Sequence, residues 1–392
     1  MDEEFGKRLQ RARKLKHMTQ GRLANEARVS TSYIGAIERG ARVPGGGVVA
    51  ALARALGMSV PDLLGRPPVE DLRRDQLAAL VQPIREALDL YDLGADPDVA
   101  PRGQDELTAD TNRLCALVRA SDLRAAAAEL PGLIVETTTA AHTYQDRRLW
   151  QALAMQYRTA YDVASKTGYV DLATLALDRM GWAAERASDA AVAGLRMYNR
   201  AMIYLRSGQA RTGTRIAALA RATVEQADPG LDRRAVTGQL YLAGAVLSAG
   251  AGQRDDAEEY LAAADRIAVG LGETTTLWMS FGPTNASAHR ASCYVDQGMY
   301  QEALEVARRM EIPATWATSR AAHHHAEVAR AYLWSGQPEL AFGRLHTARQ
   351  LAPQQIRHSA KVKEAAAGLV RAHRRPPEAL VQFAKWVGAW SP

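Results

Sequence analysis

Five glycines at near-regular intervals constrain this chain more than any other feature. Gly168, Gly208, Gly252, Gly298 and Gly336 stand 40, 44, 46 and 38 residues apart. Five residues after each comes Ala173, Gly213, Ala257, Ala303 or Ala341, always small, and four before each stands Ala164, Tyr204, Ser248, Tyr294 or Tyr332. Three units share Ala-x2-Tyr-x3-Gly outright, starting at Ala201, Ala291 and Ala329, and twelve residues past each glycine come Met180, Ala220, Ala264, Met310 and Ala348. One helix, a glycine turn and a second helix packed closely through small residues account for the pattern. A hairpin of this kind cannot bury its apolar face alone. Each must stack on its neighbours, which gives a curved array with a concave surface.

Composition agrees with helices throughout. Ala and Arg are abundant, Phe occurs four times in 392 residues, and strand-like alternation is nearly absent. The apolar share of 47% is ample for a core, and no apolar run reaches the roughly 18 residues of a membrane span. The start, MDEEFGKR, lacks an apolar signal segment, and Cys115 and Cys293 are far apart in no metal-like spacing. A cytoplasmic, reduced setting without membrane attachment is expected. Gly65 to Asp75, with two prolines and several charges, reads as a linker, here placed at 66–75. Beyond it a helical region at about 72–145 is interrupted by a loop at 93–106, and the AAAAEL run at 125–130 is a helix solvated on one side. The segment 374–390 reads as a last amphipathic helix, with Phe383, Trp386 and Trp390 as one buried stripe capping the array or a dimer.

Residues 19–40, TQGRLANEARVSTSYIGAIERG, read as two short helices joined by a tight turn. Thr19 caps the first, which buries Leu23, Ala24 and Ala27; Val29 falls in the turn. Ser30 caps the second, where Ile34 and Ile37 point inward and Thr31, Ser32, Tyr33 and Ala36 occupy other faces, free to enter a major groove. This order of residues, with Arg13 ahead of Met18-Thr19-Gln20, then Glu38-Arg39-Gly40, Pro44, Leu52-Ala53, Ala55-Leu56, Ser59 and Leu63-Leu64, resembles the XRE (Cro and phage-repressor-like) helix-turn-helix family over about residues 5–65.

That resemblance implies a five-helix DNA-binding domain at 1–65. It implies that Gln20, Thr31, Ser32 and Tyr33 face DNA, that Arg39 and Arg42 lie near phosphates, and that Arg13 and Glu38 form an internal ion pair. Arg42, a cation in a Gly/Pro-rich loop, fits a phosphate contact, whereas Tyr33 can equally pack on its own domain. Phosphate contacts set register and base edges set sequence. With Gly35 and Ala36 where such helices often carry longer polar side chains, few direct base contacts are expected, and thymine-methyl packing or DNA shape gains weight. Two departures from the family pattern matter. Arg28 stands where the family turn has Gly, at a cost of about 1 kcal/mol if its φ is positive. Pro44 is followed by Gly45, Gly46 and Gly47, which predicts a late or frayed start for the fourth helix.

Charge distribution points the same way. Residues 1–66 hold twelve Lys/Arg and six Asp/Glu, so the net charge of +6 sits entirely there and the remaining 37 basic and 37 acidic residues cancel. A basic module on a neutral body suits phosphate attraction that weakens steeply with salt.

The repeats at about 150–355 resemble the tetratricopeptide repeat (TPR), with units longer than its usual 34 residues; generic Ala-rich hairpins are the alternative. The fold class expected is therefore all-α: a helix-turn-helix domain followed by a TPR-like α-solenoid at 76–392 for sensing and dimerisation. The TPR resemblance implies a groove lined by Arg158, Tyr198, Asn199, Met202, Gln239, Asn285, Ser292, His323 and Arg330. Amides there suit the backbone of an extended peptide, and Arg158 and Arg330 suit its carboxylate. The whole arrangement resembles the RRNPP regulators, which implies a homodimer on double-stranded DNA whose repeat domain takes a peptide or small-molecule signal. Two other readings stand beside it: a DNA-tethered scaffold whose groove holds a protein partner, and a regulator that has lost DNA affinity.

Enzymatic chemistry is not expected, since no phosphate-cradling loop, nucleophile elbow or paired-acid pattern is present, and no cofactor is implied. His323, His324 and His325 are consecutive and diverge by about 100° each on a helix, so no metal site is expected there. Trp278, Trp316 and Trp334 read as packing residues, with a wall for an apolar ligand as the alternative.

Overall fold

The computed structural model describes residues 2–42, 44, 46–58, 63 and 74–390. The protein is all-α: the described residues form twenty α-helices, one 3₁₀ turn and a single isolated antiparallel bridge. Contacts divide the chain into two compact units, Met1–Glu70 with Ile312–Trp316, and Asp71–Glu311 with Ala317–Pro392. No helix among the described residues is long and apolar enough to cross a membrane.

The first unit is built from α1 (Asp2–Leu15), α2 (Gln20–Ala27), α3 (Thr31–Glu38) and α4 (Gly46–Leu56). Both expected caps form: Thr19 Oγ1 accepts from the Arg22 N–H at 3.1 Å and Ser30 Oγ from the Tyr33 N–H at 3.2 Å. Leu9, Leu23, Ile34, Ile37 and Leu52 are fully buried in one core, each contributing roughly 1.5–3 kcal/mol by leaving water. Arg28 does take the left-handed conformation, φ 54° and ψ 44°, and its N–H still closes α2 on Asn25 at 3.2 Å. The turn thus keeps the geometry glycine would supply. Gly6 lets α1 cross α3 closely: a Cβ there would lie 2.4 Å from the Ile37 carbonyl oxygen. The late start expected for α4 is not found, because the helix already runs at Gly46, with Val49, Leu52, Ala53 and Leu56 buried to hold it. Gly45 lies outside the described residues. So does the fifth helix expected at Ser59 to Leu64, apart from the buried Leu63, and the expected linker at 66–75 apart from its last two residues.

The second unit opens with α5 (Arg74–Asp89), a connection at 90–103, α6 (Gln104–Arg119) and α7 (Leu123–Tyr144). Hairpins follow: α8 (Arg147–Thr167) with α9 (Val170–Arg186), α10 (Ala190–Arg206) with α11 (Ala210–Val224), α12 (Leu231–Gly250) with α13 (Arg254–Leu271), α14 (Pro283–Asp296) with α15 (Tyr300–Arg309), and α16 (Thr318–Trp334) with α17 (Pro338–Leu351). The short α18 (Pro353–Arg357), α19 (Ala360–Ala372) and α20 (Glu378–Trp386) finish it. All five register glycines turn their hairpins with left-handed φ, 95°, 73°, 75°, 76° and 73° in chain order, where an L side chain is strained. Ala173, Ala257, Ala303 and Ala341 are buried at the close approach of each pair, and a Cβ on Gly213 would lie 2.5 Å from Leu247. Met310 departs from the pattern because α15 stops one residue short of it.

Two layers result. Helices α6, α8, α10, α12, α14, α16 and α19 neighbour one another in succession, with their hairpin partners on the other side. The first layer curls until α16 meets α6, and α18 meets α7 and α8, where Gln354 Oε1 accepts from the Arg124 N–H at 2.9 Å. At the far end α20 buries Leu380, Phe383 and Ala384, and the Phe383 ring meets Phe342 edge-on at 5.9 Å. Trp390 is not part of that stripe, since the helix ends at Trp386 and Gly388 turns the chain with φ 70°. Cys115 and Cys293 are both buried and unbridged.

Candidate functional site

Arg13 and Glu38 form a two-pronged buried pair, Nε to Oε1 at 2.6 Å and Nη2 to Oε2 at 2.9 Å, while Arg13 Nη1 also donates to the Met18 carbonyl at 2.9 Å. Gln20 Nε2 donates to Glu38 Oε2 at 2.7 Å. One carboxylate at the end of α3 therefore binds α1 and the first residue of α2, while Arg13 ties the α1–α2 connection to the same pair. Burial pushes the Glu38 carboxyl up, but hydrogen bonds from Arg13 and Gln20 and the Arg13 charge outweigh it and hold the group below the usual carboxylate range.

On this support α3 turns Ile34 and Ile37 inward and leaves Thr31 and Ser32 exposed and Tyr33 and Ala36 partly so. Val29, Ser30, Ser32, Tyr33, Ala36 and Arg42 line a shallow depression of about 500 Å³. Arg39 and Arg42 are both exposed. Gln20 is placed differently from a free contact, because its amide nitrogen is held by Glu38 and its oxygen lies 3.7 Å from where a Cβ on Gly35 would stand. What the surface offers is two hydroxyls, a phenol, a methyl and two guanidinium groups beside a helix N-terminus, a set suited to phosphates and thymine methyls.

The inner layer of the second unit holds the other expected residues. Asn199, Gln239, Asn285 and Ser292 are buried, whereas Arg158, Tyr198, Met202, His323 and Arg330 are partly buried. They are not one open row of free groups. Asn285 Nδ2 donates to Gln239 Oε1 at 3.2 Å, while Asn285 Oδ1 accepts from Arg320 Nε at 3.1 Å and Nη2 at 2.9 Å. Asn199 Nδ2 is buried with no hydrogen-bond partner among the described residues. Arg330 Nη1 is bound by Glu327 Oε2 at 2.7 Å and Asp296 Oδ1 at 2.9 Å, and Lys361 Nζ reaches Glu327 Oε1 at 2.9 Å. Burial pushes the Glu327 carboxyl up, and the charges of Lys361, His323 and Arg330 reverse this and bring it to about 2.

Arg158 donates to the Leu277 carbonyl and lies 3.9 Å from Asp162. That carbonyl belongs to the connection between α13 and α14, which reaches α6 and α8. Arg119 Nη1 donates to the Met279 carbonyl at 2.8 Å and Ser280 Oγ at 3.0 Å, and Trp278 Nε1 donates to Asn112 Oδ1 at 3.0 Å. The Thr274–Phe281 bridge closes this segment, and Leu277 and Trp278 both have left-handed φ, 46° and 55°. Trp278 is thus a tether as well as a packing residue.

Arg320, His289, Glu327 and Lys361 escaped the register argument. Arg320, His323, Glu327 and Arg330 follow one another at spacings of three, four and three on α16, a single helical stripe that was open to view in the sequence. The three consecutive histidines separate on the helix: His324 is buried and His325 Nδ1 lies 3.3 Å from Arg344 Nη1.

Comparison with known proteins agrees with the geometry of the first unit. Residues 4–64 match the family described as Helix-turn-helix domain. The chain matches no curated protein. Similar solved structures include the apo form of the competence regulator ComR from Streptococcus vestibularis (12% identity, 74% of this chain and 98% of that one, TM-score 0.26). Two others are Bacillus thuringiensis PlcR in complex with the peptide PapR7 and DNA (12%, 88% and 99%, TM-score 0.30) and the PrgX/iCF10 complex (10%, 97% and 94%, TM-score 0.25). With α2 and α3 capped, crossed and pinned through Glu38 as described, residues 4–64 of this chain are a helix-turn-helix domain.

Proposed function

We propose that this protein is a sequence-specific DNA-binding transcriptional regulator whose inner helical layer binds a peptide or small-molecule signal and thereby alters DNA binding. The observation that carries the reading is α3, held rigidly by Ile34, Ile37 and the Arg13–Glu38 pair, with Thr31, Ser32, Tyr33, Arg39 and Arg42 at the surface. A short helix with a hydroxyl-rich start and flanking guanidinium groups has the composition of a major-groove reader. The excess of basic residues confined to this part of the chain supplies the sequence-independent attraction.

Two half-sites read by a homodimer follow from the small size of one such helix. For the second unit, the support is the buried amide pair Gln239–Asn285, the unpaired amide of Asn199 and the partly buried cations of the same layer. A signal acts on DNA affinity only by binding two arrangements of the protein with different strength. The test is to sequence DNA fragments retained by the purified protein and then to measure affinity for the enriched site with and without synthetic peptides or cell extract. Shared half-sites whose affinity moves with the added fraction are expected. Random fragments would overturn specific regulation, and an affinity that never moves would leave a DNA-tethered scaffold.

A further inference from the structure

Among the cations of the inner layer, Arg119 is spent on a carbonyl and a hydroxyl and Arg200 has a buried Nε with no partner among the described residues, whereas Arg320 lacks a carboxylate and is yet held in place by an amide. Arg330 is matched by Glu327 and Asp296, Arg290 by Glu258 at 2.7 Å and Asp265 at 2.7 Å, and Arg158 by Asp162 and a backbone carbonyl. Arg320 has no carboxylate partner among the described residues. Its Nε and Nη2 share one neutral oxygen, Asn285 Oδ1, and Nη2 also lies 3.3 Å from His289 Nδ1. That ring nitrogen is itself 2.8 Å from the Asn285 carbonyl oxygen, so it serves Arg320 poorly as an acceptor. A guanidinium carries five N–H donors in a fixed fork, and Nη1 of Arg320 donates to nothing among the described residues.

The charges that act on Arg320 do not neutralise it. Glu327, the carboxylate among them, has both oxygens already taken by Arg330 and Lys361. Burial lowers the Arg320 pKa and also presses His289 down to about 3, so that ring is neutral and adds no second positive charge beside the guanidinium. A partly buried fork with an unused Nη1, whose other nitrogens rest on a neutral amide oxygen that a stronger acceptor can displace, is the arrangement that binds a planar carboxylate.

We propose that Arg320, held in place by Asn285, is the receptor for a carboxylate on the signal. This rests on the reading of the inner layer as the signal's binding site and deepens it, because Arg158 and Arg330, the two cations that the repeat register suggests for that role, are engaged within the protein. The carboxylate belongs either to the end of a peptide or to a small organic acid; both present the same group to the same fork.

The experiment uses the full chain and two synthetic heptapeptide libraries of equal composition, one ending in a free carboxylate and the other in a carboxamide, with acetate and octanoate as a third arm. Retention of the free-acid library over the amidated one supports the proposal with a peptide source. Binding of octanoate by calorimetry supports it with a small-acid source. In either case Arg320→Gln is expected to weaken binding on the order of 30-fold, and Arg320→Lys, which keeps charge but not the fork, less so. Asn285→Ala, which frees the fork, is expected to weaken it too. The thermal midpoint of each variant is read alongside; if Arg320→Gln does not fold, the Lys and Asn285 variants carry the test. Equal retention of both libraries, or retention unmoved by all three substitutions, would overturn the carboxylate assignment and leave a signal site standing. Binding in no arm would overturn the signal site and the assignment with it.

Discussion

At the scale of single residues, Glu38 does the most for the first unit. Its carboxylate joins α1 and α2 to α3, and removing its charge leaves Arg13 buried with the Met18 carbonyl and no counter-charge. We expect Glu38→Gln to cost about 3 kcal/mol, read as faster hydrogen exchange at α3 amides in the full chain. Because the folded protein holds its Glu38 carboxyl below the usual value, the folded state takes up that proton less readily than the unfolded chain does. The contribution is therefore complete above the unfolded value near pH ~4.3 and drains away as pH falls through the folded one, and α3 protection should fall in that order. Contacts with DNA divide by chemistry at this same scale. Arg42→Ala should weaken binding to all sequences alike and reduce the dependence of log affinity on log salt by about one. The triple change Thr31→Ala, Ser32→Ala and Tyr33→Ala should instead erase the difference between operator and random DNA. Unchanged operator preference in a competition assay would remove α3 as the reader.

Elements explain why these side chains sit where they do. A helix of eight residues such as α3 is too short to persist by itself and owes its existence to the Ser30 cap and to Ile34 and Ile37 in the core. The crossing of α1 over α3 depends on Gly6. Gly6→Ala places a methyl 2.4 Å from the Ile37 carbonyl oxygen and 2.8 Å from that of Glu38, so the helices must part. A loss of about 1–3 kcal/mol is expected, together with weaker operator binding; denaturant unfolding of the full chain with the first unit's amides as reporters checks it. Much at this scale was legible in the chain itself. The caps, the inward isoleucines and the five turn glycines follow from local chemistry. The start of α4 does not, because three glycines disfavour a helix locally and only the burial of Val49, Leu52, Ala53 and Leu56 decides otherwise. Arg28 is the same case: its left-handed φ is imposed by the helices on both sides.

In the whole molecule, a curling inner layer takes polar and charged side chains out of water, and its stability should depend on pH accordingly. Burial holds His289 and His324 near 3 and His325 near 4. The unfolded chain accepts those protons near pH ~6.5 and the folded protein refuses them, so each histidine costs up to about 1.4 kcal/mol per pH unit below that point until its folded value is reached. Denaturant midpoints of the full chain should fall between pH 7.5 and 5.5, and His324→Gln should make the fall shallower. A midpoint flat over that range would mean that these rings are open to solvent. The segment between α13 and α14 belongs to this scale too, since its carbonyls are bound by Arg119 and Arg158 from helices more than a hundred residues away.

Read from the residues alone, the chain is helical, with a helix-turn-helix domain in its first part and glycine-turned hairpins at about residues 150–355. Those properties come from periodicity, capping and left-handed turns, all of which act over a few residues. Which inner-layer groups are spent and which are free depends on how helices far apart in the chain come together. Arg330 is consumed by Glu327 and Asp296, Arg158 by Leu277 and Asp162, and Arg320 is left with an amide oxygen. The reason is physical: a charge is satisfied by whatever the fold brings within about 3 Å, and the partners here lie on different helices, at separations that helical spacing does not encode.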